Sequence, residues 1–214
     1  ALWQSHGFYY EPKLNRWEWQ RARCLQTVED LYTQSFVLPY LVPMLENAGA
    51  NVLLPRERDC QTAEIIIDND GCLNTNSTYT EHTADKVWRQ GTGKGFAHLR
   101  PQYIDFENPF KEGTFRIAET VKKGKESTAE WIPEIPQNGQ YAVYVSYQTV
   151  PNSSDDALYT VYHKGGVSQF KVNQKMGGGT WVYLGTFGFD AGKSNACKVT
   201  LSNRSRNRVK EEIN

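Results

Sequence analysis

The stretch Tyr141-Ala142-Val143-Tyr144-Val145-Ser146-Tyr147 alternates along its length, so one parity belongs to a core and the other to an outer surface. It predicts a strand over Gln140–Gln148. Comparable runs predict strands at Gly113–Ala118, Ser127–Trp131, Ala157–His163, Gly166–Asn173, Trp181–Phe189 and Cys197–Ser202. Between them lie Pro136-Gln137-Asn138-Gly139, Lys164-Gly165-Gly166, Gly177-Gly178-Gly179 and Asp190-Ala191-Gly192, all turn signals. Short strands at regular intervals with glycine-rich turns argue a β-sandwich.

The first sixty residues read differently. Ala1–Gln4 is a short apolar strand ended by His6-Gly7, and Phe8–Arg23 is a charged, aromatic loop. From Leu25 to Asn47, the positions Val28, Leu31, Phe36, Leu38, Leu41, Val42 and Leu45 recur at helical spacing. Pro39 and Pro43 predict a kink or break near Val37–Pro39, and Gly49 a stop. Ala50–Leu54 then reads as a buried strand, which completes a βαβ unit with parallel strands. Glu64–Asp68 is a further strand candidate before the turn Asn69-Asp70-Gly71, and residues 72–100 read as polar and irregular.

A boundary near residue 60 therefore separates a small α/β segment, 1–60, from a β-sandwich, 62–214. The first part is too small to cover both faces of a parallel sheet. It is expected to borrow packing from the sandwich or another copy, or to open a domain whose remainder lies elsewhere. The chain begins Ala1-Leu2-Trp3-Gln4, with neither a Met nor a basic leader region, and reads as processed or as a piece of a longer protein.

Composition narrows the function classes. Lys+Arg and Asp+Glu are both 24, so there is no basic excess of the kind nucleic-acid binding requires. No apolar run is long enough for a transmembrane helix. Six Trp, 12 Tyr and nine Phe supply an aromatic core despite only 39% hydrophobic residues. The four cysteines form neither a disulfide scaffold nor a CxxC metal motif, although Cys60 and Cys72 are close enough in sequence to pair. The sequons at Asn76, Asn152 and Asn203 decide nothing.

Several ordered motifs carry a resemblance. Trp131-Ile132-Pro133 is followed by G-x-Y-x-V-Y-V from Gly139, Y-T-V-x-H-x-G-G from Tyr159 and G-x-W-x-x-L-G-T-F-x-F-x-x-G from Gly179. With the Ile65–Gly71 segment, this resembles the golvesin C-terminal-like domain, a module that also accompanies xanthan lyases and peptidoglycan amidases. The resemblance implies a jelly-roll-like β-sandwich that binds carbohydrate. The family's last strand is not evident, because Arg206–Asn214 is charged and does not read as a strand. A second resemblance is to the start of zinc-dependent N-acetylmuramoyl-L-alanine amidases, carried by LWQSHG, VEDL and LENAGANVLLPRERD. It implies His6 and Glu29 as zinc ligands, with Arg56 and Asp59 after the second strand. The longer His6-to-Glu29 gap leaves Glu11 and Glu18 open as ligands, and the family's second His and general base have no counterpart here.

Among other candidates, Tyr9, Tyr10, Trp17 and Trp19 form an aromatic cluster able to stack on sugar rings or to act as a packing lid. Trp131 and Trp181 read as core. Tyr147, Tyr159, Tyr162 and His163 would line a sugar surface if their parity faces outward, which sequence leaves open. His82, His98 and His163 lie in the sandwich region and are not assigned to a metal. The Asp68-Asn69-Asp70-Gly71 run reads as a turn before it reads as a calcium loop. Three functions follow as expectations: a secreted or cell-envelope module binding polysaccharide or peptidoglycan, a zinc amidase expected to be inactive as this chain alone, and a structural domain that pairs with itself or another protein.

Overall fold

The computed structural model describes residues 7–21, 24–25, 28–50, 52, 63–71, 73, 76–101, 103, 107–206 and 212–213. Strand candidates Ala1–Gln4 and, apart from Ala50 and Val52, Ala50–Leu54 lie outside these residues, as do His6, Arg56, Asp59, Cys60 and Cys72. The chain divides into two compact units, 1–62 with 103–108, and 63–102 with 109–214.

The first unit holds a hairpin where a loop was expected. Strands β1 (Phe8–Glu11) and β2 (Arg16–Trp19) pair antiparallel, Tyr10 opposite Trp17 and Tyr9 opposite Glu18. The turn closes through the Leu14 N–H on the Glu11 carbonyl, and Asn15 takes the left-handed conformation such a turn needs (φ 53°). A mix of charged and aromatic residues on both parities hid this ribbon from a search for one apolar face. The helix starts later than expected. Val28 is extended, and helix α1 runs Glu29–Phe36. A π-helical turn, Val37–Leu41, joins it to helix α2, Val42–Asn47. The widened turn falls where the break was predicted. Pro39 has no N–H to donate, and Val42 N–H instead reaches back to the Val37 carbonyl. Gly49 (φ 87°) follows the last turn, in the conformation where a Cβ is penalised.

The second unit is mainly β. Its strands are β3 (Thr78–His82), β4 (Arg89–Gln90), β5 (Arg116–Glu119), β6 (Thr128–Ile132), β7 (Glu134–Ile135), β8 (Gly139–Val145) and β9 (Ala157–His163). They continue with β10 (Gly166–Val172), β11 (Val182–Phe189), β12 (Gly192–Lys193), β13 (Lys198–Ser202) and β14 (Glu212–Ile213). The largest sheet has the order β10-β9-β13-β6-β3, antiparallel throughout. Smaller ladders pair β11 with β8, β12 with β7, and β14-β5-β4.

Register explains the sandwich. Ala129, Tyr159, Val172 and Leu201 occupy one face of the large sheet. They pack with Ala118 of β5, Val145 of β8 and Ile213 of β14, and with Trp88 and Tyr147. A second cluster joins Val161, Ile135, Phe189 and Cys197. Fully burying Tyr159, Leu201, Val161 and Ile213 contributes of order 1.5–3 kcal/mol per side chain against an extended chain. Buried polar groups are spent on holding turns. Asn203, fully buried, accepts from Ser127 N–H at 2.9 Å and donates to the Glu119 carbonyl at 2.8 Å.

Three sequence expectations are corrected here. Glu64–Asp68 makes no ladder among the described residues beyond a bridge from Asp68 to Gly71, and Ile65 serves as a side chain packed on the second cluster. Residues 72–100 are not wholly irregular: β3 forms the edge of the large sheet. Its inward parity carries Glu81, which Arg116 pairs at 2.6 and 2.9 Å, so charge masks the alternation. The end of the chain does contain a strand. Ile213 pairs with Ala118 and is completely buried, while Glu212 N–H bonds the Asn152 carbonyl at 2.8 Å. One inward apolar residue beside charged neighbours leaves no period to read.

Candidate carbohydrate-contact surface

Alternation along β8 sends Tyr141, Val143 and Val145 into the two clusters and Gln140, Ala142 and Tyr144 outward. The partner strand continues the pattern through an irregularity between Tyr183 and Gly185. Val182, Leu184 and Phe187 face the core, whereas Tyr183 and Thr186 are exposed. Gly185 is required there: a Cβ would stand 2.7 Å from the Phe187 ring. The L-G-T-F motif thus lets Phe187 fold over the backbone beside it while Tyr183 points away.

Tyr144 and Tyr183 meet across the strands, centroids 5.3 Å apart and planes inclined by 48°. Tyr183 is 52% exposed and its hydroxyl bonds Thr186 Oγ1 at 2.8 Å. On the other side of inward-facing Val182 stands Trp181, 40% exposed. Its ring rests on Phe96 (4.8 Å) and Phe110 (5.8 Å), both buried. A large exposed indole on a fixed aromatic base loses little side-chain freedom on binding. The glycine turn before it is equally fixed: Tyr147 Oη donates to the Met176 carbonyl at 2.7 Å, and Gly179 N–H to the Tyr147 carbonyl at 2.8 Å. Trp181 is therefore not core, contrary to expectation; Trp181 and Tyr183, the latter packed against Tyr144, are the exposed aromatic side chains that the sequence reading missed. The signal was present in the parity, since Trp181 and Tyr183 flank Val182.

The predicted site residues distribute as follows. Trp131 packs on the core against Tyr79 at 5.3 Å. Tyr147 and Tyr159 are buried, so they line no surface; burial holds both hydroxyls above the ordinary tyrosine range. Tyr162 faces out beneath the Lys198 ammonium. His163 lies over Phe187 and is held by Ser168 and Gly165. In the hairpin, Tyr10, Trp17 and Trp19 share one face, Tyr10 and Trp17 meeting edge-on at 5.7 Å, whereas Tyr9 shares the other with Glu18. The single cluster expected is thus split three to one.

The zinc reading falls partly outside the described residues. Glu29 is exposed on the first turn of α1 and His6 lies outside the described residues. Among the described residues, no group of three His, Cys, Asp or Glu side chains could hold a metal ion. In the Asp68–Gly71 turn, Asp70 accepts from Thr114 N–H and from Thr114 Oγ1 at 2.7 Å, and Asp68 accepts Asp70 N–H at 2.8 Å. These oxygens tie the turn to the start of β5, which makes it structural. Burial, opposed by the Asp70 N–H and reinforced by the Asp70 charge, pushes the Asp68 carboxyl up to about 7.

With this geometry in place, the comparisons with known proteins bear on the second unit. Residues 109–210 match the golvesin C-terminal domain. That stretch contains β8, β11, Trp181 and Phe110, though not Phe96. A xanthan lyase of Bacillus sp. (strain GL1) is 35% identical over 81 residues, 38% of this chain and 8% of that protein. A Paenibacillus xanthan lyase of known structure shares 21% identity, with 64% of this chain and 12% of that one covered and a TM-score of 0.38. A score that low establishes no shared fold; the architecture rests on the registers above. This chain spans only about a tenth of the length of these relatives. The amidase-like reading of the first sixty residues has no counterpart in these findings. No helix among the described residues is long and apolar enough to cross a membrane.

Proposed function

We propose that the chain is a polysaccharide-binding module of the golvesin type, working outside the cell or in its envelope. One observation carries this reading: Trp181 is presented, partly exposed, on a buried aromatic base two residues before the exposed Tyr183. Sugar rings expose C–H faces that pack on such rings, and their hydroxyls stay hydrated at the rim. The golvesin-domain match and the xanthan lyase similarity, to a protein whose name refers to a polysaccharide, support the same reading. The hairpin face of Tyr10, Trp17 and Trp19 is a second candidate contact, to peptidoglycan or another glycan. Affinity electrophoresis of the chain through gels containing soluble polysaccharides tests the proposal. Retardation reduced severalfold by Trp181→Ala supports it, and mobility unchanged in every polymer refutes it.

A second reading, as a protein-interaction domain, is favoured by α1 and α2. Tyr32, Phe36, Tyr40 and Met44 recur every four residues and are all more than half exposed. Such a stripe would bury itself against a second copy. Sedimentation equilibrium across a concentration series reads this directly; a monomer at every concentration excludes self-association through it.

A further inference from the structure

We infer that the surface of β8 and β11 selects single, uncharged polysaccharide chains over polyanions and over crystalline polymer faces; this rests on the carbohydrate-binding reading above. The outward positions are Gln140, Ala142 and Tyr144 on β8 with Tyr183, Thr186 and Gly188 on β11, none of them ionisable at neutral pH. At the end of the ladder Lys164 and Asp190 neutralise each other at 2.7 Å, and Lys164 is held charged by that hydrogen bond. Near Phe96 and Phe110 in sequence, Arg100 pairs with Glu112 at 3.1 Å. A carboxylated sugar settling on this surface would lose hydration without gaining a counter-charge from these strands, which penalises it relative to a neutral one.

Ring geometry adds the second selection. The Tyr144 and Tyr183 planes are inclined by 48°, so they cannot both lie flat on one planar face. Tyr183, the exposed ring of the pair, stacks on one sugar and Trp181 on another of a chain that turns about its axis. Trp181 stands two residues before Tyr183, a reach of about 7 Å along extended backbone. The surface therefore follows a strand of sugars that is free in solution.

The test compares the full chain with hydroxyethyl cellulose and polygalacturonate in affinity gels at low and high salt, and with microcrystalline cellulose by co-sedimentation. Retardation by the neutral polymer that changes less than about twofold with salt, and falls about tenfold or more in the double variant Trp181→Ala, Tyr183→Ala, is expected. Circular dichroism of that variant checks that it is folded. Stronger retardation by polygalacturonate that salt abolishes would overturn the inference and leave carbohydrate binding standing. Tighter capture by the crystalline polymer than by the soluble one would overturn the single-chain part. Retardation by no polymer would overturn both this inference and the reading beneath it.

Discussion

Asp68→Asn is expected to stabilise the protein at alkaline pH and to change little in acid. Asp68 sits in the Asp68–Gly71 turn, where its carboxylate accepts the Asp70 N–H, a bond that an asparagine oxygen can also make. Burial is the dominant perturbation, and it lifts the carboxyl from 3.8 to about 7. The unfolded chain therefore releases this proton near pH 4 and the folded chain near neutrality. Between those values the folded state holds more protons, so stability falls as pH rises, and it levels off once both states are ionised. Roughly three pKa units at about 1.4 kcal/mol each set a ceiling of about 4 kcal/mol. Water reaching the partly exposed carboxylate lowers the realised value, and about 2 kcal/mol is a reasonable expectation. Other carboxylates act in the opposite sense. Glu81, Glu126 and Asp156 are held below their usual range by hydrogen bonds that outweigh burial in sum, so their contributions are present at neutral pH and lost in acid. The difference between variant and parent cancels those common terms. Urea unfolding of both proteins from pH 4 to pH 9 reads it. A variant-minus-parent difference that grows across pH 4–7 and then plateaus agrees with a buried, proton-holding Asp68. A flat difference, or one that grows toward acid, refutes the burial argument.

Further expectations follow from single residues. Gly185→Ala forces a methyl to within 2.7 Å of the Phe187 ring and should cost about 1–3 kcal/mol by urea unfolding, with weakened glycan retardation as β11 shifts. Ile213→Ala opens a cavity at a fully buried site and should cost about 2–5 kcal/mol; a loss under 1 kcal/mol would show that β14 does not pack as described. The Tyr144 hydroxyl is buried with no hydrogen-bond partner among the described residues, so Tyr144→Phe should leave stability unchanged or raise it by about 1 kcal/mol while preserving glycan retardation. Glu81→Gln should flatten the acid limb of the stability profile, because the Arg116 partnership that depresses the Glu81 carboxyl is then absent at every pH; an unchanged acid limb would count against it.

Local sequence determined those features whose causes are local. The strands β8, β9, β10, β11 and β13 fall within a few residues of their predicted spans, because alternation and glycine turns report directly on a half-buried ladder. The widened turn after Phe36 is equally local: Pro39 lacks a donor wherever the helix lies. The golvesin-type motifs from Tyr141 to Phe187 were legible for the same reason, since each is a strand with its turn. Tertiary structure decided the rest. Trp181 looks like core in one dimension, and only its support by Phe96 and Phe110, distant in sequence, leaves it exposed on a rigid base. Tyr147 and Tyr159 look equally eligible for a surface, yet the cross-strand register turns them inward. Glu81 breaks the pattern of β3 because Arg116 compensates it from another strand, and Glu212–Ile213 is a strand only because Ala118 and Asn152 receive it. Alternation tells which residues share a face; which face meets the core depends on partners brought together by the whole chain.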